Sequence, residues 1–131
     1  MGFRINHIHL KAPDPGKAVA WWIAAFKFKV VSDEVRPSGD RFIRCLSEDG
    51  GLGVNISGAR TGETPARGDA SVHYGLEHFG LDTADIDADV ARLQGLGARL
   101  HEGPITTPAG SRIAFMSGPD DVRFELIQPK A

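Results

Sequence analysis

The chain has 131 residues, of which 41% are hydrophobic and 24% are charged, and its formal net charge is −2. These values are ordinary for one globular domain, or for two small halves that share a core. No apolar stretch approaches the roughly 20 residues that span a bilayer, and the basic residues form no stripe for phosphates, so we expect neither a membrane nor a nucleic-acid partner.

The N-terminal residues enter a strand pattern directly, without the apolar core of a secretory signal. Cys45 is the only cysteine, so no disulfide forms within the chain, and a small buried apolar side chain is its expected role. Both observations favour a reducing compartment. We therefore expect a cytoplasmic location.

The first predicted strand contains His7 and His9, which alternate with Ile8 and Leu10. Side chains two residues apart on a strand point to the same side, so both imidazoles face one way. Asp14 followed by proline then predicts a helix start. The helix is predicted from apolar residues at 3.6-residue spacing, namely Ala18, Trp22, Ile23 and Phe26.

Three strand-like runs follow this helix, at residues 26–33, 41–47 and 51–58. Residues 58–71 are rich in Gly, Pro, Ala and charge and have no periodicity, which predicts a linker. A second strand then leads to a helix that Thr83 or Asp85 caps, with Gly97 at its end. Its apolar face is predicted from Ile86, Val90, Leu93 and Leu96, and three further strands are predicted at 98–103, 111–117 and 122–128.

The two halves repeat one another. With a shift of 71 residues His7 aligns with His78, and with a shift of 70 residues Asn55 aligns with Glu125. Each half therefore reads βαβββ, and the order of elements predicts an α+β fold.

The alternation of polar and apolar residues predicts that His7, His9, Asn55, His78 and Glu125 share one face, opposite the helices. Two imidazoles and a carboxylate suit a divalent metal such as Fe(II), Mn(II), Zn(II), Ni(II) or Co(II) with positions open for substrate. A lone strand histidine is more often structural, but matched positions in a repeat favour a ligand role, and burying a carboxylate without a cation is costly.

These motifs resemble the vicinal oxygen chelate superfamily of glyoxalases, bleomycin resistance proteins and dioxygenases. The opening strand and helix, the second module and the closing hairpin at residues 118–128 carry the resemblance. It implies one glyoxalase-like domain in which two βαβββ modules, in a pseudo-twofold arrangement, form a curled mixed-sheet cup. We expect residues 1–57 to form the first module, 58–71 the linker and 72–131 the second module.

The resemblance also implies that His7, His78 and Glu125 bind one divalent metal, with Asn55 at the fourth family position. Asn55 cannot act as a base, so a two-carboxylate proton shuttle of the glyoxalase I kind lacks one member. Two further departures lie outside the predicted metal site. Lys27 stands where the family usually ends its helix with glycine, and the sequence Gly-Pro-Asp-Asp at 118–121 replaces the common Asp-Pro-Asp-Gly turn.

The predicted function is a divalent-metal-dependent enzyme whose small-molecule substrate chelates the metal through adjacent oxygens. Ring cleavage of a catechol-like substrate with Fe(II) is slightly favoured, with His9 and Glu125 as catalytic residues. A glyoxalase-type or epimerase-type isomerase or a lyase, working with Mn(II), Zn(II), Ni(II) or Co(II), is the first alternative. A non-catalytic binding or resistance protein is the second.

The remaining polar and aromatic candidates are assigned structural roles. Trp21 and Trp22 are expected in the core, and His73 and His101 at the surface or in the linker. Arg44 and Arg112 are candidates for holding a substrate carboxylate, although a solvated strand face is the commoner role for such residues. Because small sheets have edges that need cover, we also expect a homodimer.

Overall fold

A computed structural model describes residues 2–131, and the chain divides into two compact units between Ala66 and Arg67. This boundary falls inside the segment 58–71. Each unit contains one βαβββ module, which confirms the predicted α+β fold of two similar modules. The elements are β1 (His7–Lys11), α1 (Pro15–Phe26), β2 (Lys29–Val35), β3 (Arg41–Leu46), β4 (Gly53–Ser57), β5 (Phe79–Asp82), α2 (Ile86–Gly95), β6 (Arg99–Thr106), β7 (Arg112–Ser117) and β8 (Arg123–Gln128).

Unit 1 is a four-stranded mixed sheet in the order β1-β4-β3-β2, in which β1 runs parallel to β4 and the other neighbours are antiparallel. Helix α1 packs on β3 and β4. The buried apolar side chains between helix and sheet remove their surface from water, which is the main favourable term in folding. They include Trp22, Ile43, Cys45, Val54 and Ile56.

Helix α1 begins and ends as its sequence predicts. The Asp14 side chain accepts a hydrogen bond from the Lys17 amide at 3.1 Å, and Pro15 occupies the first turn. The helix ends at Lys27, whose φ of 57° and ψ of 35° are left-handed. One residue of the predicted apolar face is wrong, because Ile23 is exposed while Val19 is buried in its place.

Unit 2 repeats this arrangement in the order β5-β8-β7-β6, with α2 packed on β6, β7 and β8. Asp85, not Thr83, is the N-cap of α2 and accepts a hydrogen bond from the Ala88 amide at 3.1 Å. Gly97 follows the helix with a φ of 98°, a conformation that favours glycine. Neither α1 nor α2 is long and apolar enough to cross a membrane.

Three predicted boundaries differ from the structure. The helix α1 continues through Phe26, so β2 begins at Lys29 rather than at residue 26. Strand β5 begins at Phe79, and β6 extends to Thr106 because its register shifts twice against β7. In the turn before β8, Asp120 and Asp121 both adopt left-handed backbone angles, in the tetrapeptide that replaces the usual family turn.

Candidate functional site

His7, His9 and Asn55 lie on one side of the unit 1 sheet, as the alternation predicts. His9 and Asn55 are register partners across β1 and β4, and His7 is two residues before His9. The intervening residues Ile8 and Val54 are partners too, and Val54 is buried in the core beneath α1. We call the side that carries His7, His9 and Asn55 the polar face of unit 1.

The His7 ring is oriented by the residue before it. His7 Nδ1 lies 2.9 Å from Asn6 Oδ1, and an amide oxygen only accepts, so this nitrogen donates. Nε2 then carries the lone pair in the neutral ring. Across the sheet His7 pairs with Gly53, where an added Cβ would come within 3.1 Å of the His7 Cβ.

In unit 2, His78 immediately precedes β5 and its ring lies between two carboxylates. Its Nδ1 is 2.8 Å from Glu77 Oε1, and its Nε2 is 3.3 Å from Glu125 Oε1. Strand β8 places Glu125 opposite Gly80, which shares the orientation of His78 along β5. The register thus brings His78 and Glu125 together, as the repeat predicts.

A buried arginine supports the histidine in unit 2. The Nε of Arg123 lies 3.4 Å from Glu77 Oε1, and its Nη1 donates to the Ala70 carbonyl at 2.9 Å. Its guanidinium carbon is 4.7 Å from the centroid of Phe115, whose ring also meets the His78 ring edge-on. The positive charge of Arg123 and the hydrogen bond from His78 hold the pKa of Glu77 below its ordinary value, the hydrogen bond being the larger cause.

Asn6 and Glu77 are site residues that the sequence analysis missed. Each precedes a candidate ligand histidine and accepts a hydrogen bond from its Nδ1. They occupy equivalent positions at the same shift of 71 residues that aligns His7 with His78. An oxygen acceptor on the second ring nitrogen is the usual companion of a metal-ligating histidine, because it fixes the tautomer and the ring orientation. The pair was therefore detectable in the repeat.

The donor chemistry of unit 2 fits a divalent metal. With Nδ1 donating to Glu77, Nε2 of neutral His78 and Oε1 of Glu125 both present lone pairs to the 3.3 Å between them. Two ligands that each bind one ion at about 2.1 Å lie roughly 3.0 to 3.4 Å apart. Within residues 2–131, however, no three His, Cys, Asp or Glu side chains form a group that holds a metal. The three-ligand set therefore stays a prediction.

His9 is anchored to a buried hydroxyl. Its Nε2 lies 2.7 Å from Oγ of Ser57, which is fully buried, and Lys11 Nζ is 3.4 Å from the same oxygen. Burial lowers the pKa of His9, and the charges of Lys11, His7 and Arg36 lower it further. The ring is therefore neutral at pH 7.

Asn55 and Arg44 are neighbours on the polar face of unit 1. They are register partners across β3 and β4, and Asn55 is only 7% exposed. Within residues 2–131 the Asn55 amide makes no hydrogen bond and Arg44 makes no ion pair. The Arg44 guanidinium carbon lies 4.8 Å from the centroid of Phe42.

The other candidate arginine has a structural partner. Arg112 on β7 donates to both oxygens of Asp87 on α2, at 2.7 and 3.1 Å. Its guanidinium therefore ties the helix to the sheet, whereas that of Arg44 is left for another group.

The two remaining histidines differ in surroundings. His73 Nδ1 and Nε2 face the carbonyls of Ser71 and Leu76 at 2.7 and 3.1 Å, which fits the predicted linker role. His101 lies in β6, where the register shifts, and its Nε2 is 2.8 Å from Oγ of the buried Ser117. It is exposed, as predicted, but it is not a linker residue.

Residues 4–126 match the model of the Glyoxalase/Bleomycin resistance protein/Dioxygenase superfamily. The chain belongs to this superfamily. Its members include metal-dependent enzymes and non-catalytic binding proteins, so membership leaves the reaction open. No curated protein matches the chain in sequence.

Solved structures share the fold at low sequence identity. A glyoxalase family protein from Bacillus cereus is 16% identical, with a TM-score of 0.88 over 100% of this chain and 97% of that one. The fosfomycin resistance protein FosX from Listeria monocytogenes is 19% identical, with a TM-score of 0.72 over 99% and 94%. An antibiotic binding protein from Streptomyces sp. CB03234 is 24% identical, with a TM-score of 0.68 over 98% and 97%.

Proposed function

We propose that this protein is a divalent-metal-dependent enzyme whose small-molecule substrate binds the metal through two adjacent oxygens. One observation carries the proposal. At matched positions of the repeat, His7 and His78 each have Nδ1 bonded to the preceding side chain, and the Nε2 of His78 faces the carboxylate of Glu125. This is the orientation that a metal-ligating imidazole needs.

His7, His78 and Glu125 are the proposed metal ligands. A mutant of FosX was crystallised with Mn(II) and 1S,2S-dihydroxypropylphosphonic acid, which supports a divalent ion and an oxygen-rich ligand in this fold. Fe(II) is the proposed ion here, and Mn(II), Zn(II), Ni(II) and Co(II) suit the same donors. When bound, such an ion lowers the pKa of a substrate hydroxyl and stabilises the resulting negative charge.

His9 is the proposed general base. With its Nε2–H donating to Ser57, the Nδ1 lone pair of the neutral ring is left to take the proton of a substrate hydroxyl. Asn55 cannot take this proton, because an amide is not basic at neutral pH. Glu125 completes the proposed catalytic set, because its carboxylate anchors the ion against His78.

A single base on unit 1 favours ring cleavage over isomerisation. Moving a proton between two carbons requires a base at each position, whereas oxygen-dependent cleavage of a catechol-like ring needs the substrate hydroxyl deprotonated and takes both oxygen atoms from O₂. The position that aligns with Glu125 is Asn55, so unit 1 lacks the second carboxylate. Isomerase or lyase chemistry is the alternative reaction, and it proceeds without oxygen.

A binding or resistance protein without chemistry is the second candidate. The likeness in fold to an antibiotic binding protein favours it. The metal content of the protein separates the two candidates, because sequestration of a planar ligand requires no stoichiometric transition metal. For either candidate we propose a homodimer.

Metal analysis of the protein purified without chelators tests the proposal. We expect close to one transition-metal ion per chain, and Glu125→Gln lowers metal affinity at least tenfold because it removes a charged ligand. Glu102→Gln is the matched control, because Glu102 lies in the same sheet row of unit 2, beyond Phe115. Affinity that is unchanged in Glu125→Gln, or equally reduced in Glu102→Gln, contradicts the ligand set.

The reaction is tested with the same preparations. Loaded with Fe(II) under argon, the enzyme consumes O₂ when catechols are added, and oxidation to Fe(III) abolishes the activity. Turnover of methylglyoxal–glutathione or of a thiol–epoxide pair under argon with Zn(II) or Ni(II) assigns the alternative chemistry instead. A metal-free protein that still binds a planar ligand supports the second candidate.

A further inference from the structure

The polar face of unit 1 contains an unsatisfied buried amide. Asn55 is 7% exposed, yet within residues 2–131 its side chain has no hydrogen-bond partner. Burying an amide without a partner costs about 1 to 3 kcal/mol on protein mutational scales, so such groups are normally satisfied. Because Asn55 shares its face with His9 and Arg44, a group bound on that face satisfies the amide.

The row across the sheet that contains Asn55 is free of carboxylates. Its members, from β1 to β2, are His9, Asn55, Arg44 and Ser32. The equivalent row of unit 2 is Gly80, Glu125, Phe115 and Glu102. The repeat thus has an anionic row in unit 2, suited to a cation, and a cationic row in unit 1.

The other cations of this face are already paired. Arg36 donates to Asp40 at 2.6 Å, and Lys11 lies 3.7 Å from a Glu63 oxygen. Within residues 2–131 Arg44 has no such partner, and its side chain is exposed. The unpaired positive charge therefore lies beside the unpaired amide.

We propose that Asn55 and Arg44 bind an oxyanion group, a carboxylate or a phosphonate or phosphate, of the substrate. The guanidinium presents several N–H donors in a planar fork that matches such oxygens, and the Asn55 amide adds two more. A metal cation does not fit this pair, because Arg44 repels it. That the anion belongs to the metal-bound substrate rests on the proposed function; the anion site itself does not.

Calorimetric titration of the purified protein with inorganic phosphate, at an ionic strength fixed with sodium chloride, tests the site. We expect saturable binding of one phosphate per chain, and Arg44→Gln weakens it at least tenfold. Arg99→Gln is the matched control, because Arg99 is an exposed strand arginine of unit 2 that makes no ion pair within residues 2–131. No saturable binding, or equal weakening in both variants, overturns the proposal.

Asn55→Ala provides a second test that keeps Arg44 in place. We expect it to weaken phosphate binding severalfold while its circular dichroism matches that of the wild type. Should this variant lose its fold, Arg44→Lys replaces it, and binding intermediate between wild type and Arg44→Gln supports the site. Binding by Arg44→Lys no tighter than by Arg44→Gln and unfolding of Asn55→Ala together count against it.

Two further arms separate the sources of the anion and the two proposals. Titration with acetate and with methylphosphonate shows whether a carboxylate or a phosphonate binds more tightly. Glu125→Gln removes the proposed metal ligand, and phosphate binding that persists in this variant keeps the anion site even where the metal proposal fails. Loss of phosphate binding in Glu125→Gln overturns the anion site, because the phosphate is then bound by the metal.

Discussion

His9 forms a hydrogen bond from the polar face of unit 1 to the buried hydroxyl of Ser57, and glutamine offers an amide of similar reach. If His9 is the base, His9→Gln lowers kcat by about 100-fold or more on an identified substrate, the usual effect of removing a general base. Metal content stays the same, because His9 is not a proposed ligand. His73→Gln is the control, and full turnover in His9→Gln with unchanged metal shows that His9 only packs.

The pKa values of His73 and His101 shift in opposite directions. The carbonyls of Ser71 and Leu76 raise the pKa of His73, whereas burial, followed by the charges of Arg123 and Arg99, lowers that of His101. We expect ring NMR titrations with a midpoint above 6.5 for His73 and below 6.5 for His101.

The sign for His73 predicts a pH dependence of stability. A raised folded-state pKa stabilises the protein at pH values below the unfolded value of about 6.5, and this contribution is lost as the pH rises through the folded-state pKa. His73→Gln therefore removes a decrease in unfolding free energy above pH 6.5. Identical urea-unfolding profiles of His73→Gln and wild type across this range contradict the prediction.

At the scale of elements, the end of α1 is strained. Lys27 has a φ of 57°, and a side chain in the left-handed region costs roughly 1 to 2 kcal/mol relative to glycine. Its ion pair with Glu48, 3.8 Å long between exposed side chains, offsets little of this cost. Lys27→Gly therefore raises the free energy of unfolding by about 1 kcal/mol.

The same substitution in a right-handed position is the control for this effect. Lys17 lies in the first turn of α1, and Lys17→Gly lowers the unfolding free energy, by up to about 1 kcal/mol, because glycine is a poor helix former. Urea denaturation measures both variants. A Lys27→Gly protein no more stable than wild type shows that the left-handed cap is not under strain.

At the scale of the whole molecule, two segments expose large apolar side chains at matched positions. Phe3 and Ile5 precede His7, and Tyr74 and Leu76 precede His78, again at a shift of 71 residues. All four are more than three-quarters exposed. Apolar surface of this kind favours contact with another chain, and a second copy supplies both segments at once.

We therefore expect light scattering to give the mass of two 14.1 kDa chains at micromolar concentration. Tyr74→Ser combined with Leu76→Ser shifts the protein toward the monomer, because the contact loses its apolar side chains. Val35→Thr is the control, an equally exposed residue on the edge strand β2. A monomeric wild type contradicts the homodimer, and dissociation by Val35→Thr alone moves the contact to the β2 edge.

The sequence by itself determined the two βαβββ modules and the facing of His7, His9 and Asn55. Caps such as Asp14 and Asp85 and the alternation along β1 and β4 depend only on neighbouring residues, so they are readable before folding. The repeat added the pairing of His78 with Glu125, because equivalent positions in two modules have equivalent neighbours.

Only the tertiary structure decided which polar side chains have partners. Arg112 is paired because Asp87, 25 residues away, lies on the helix above it, whereas Arg44 and Asn55 have no partner within residues 2–131. His101 contacts Ser117 because the register of β6 shifts at that point, and such a shift depends on the neighbouring strand. Partners distant in sequence are fixed by packing, so no local pattern predicts them.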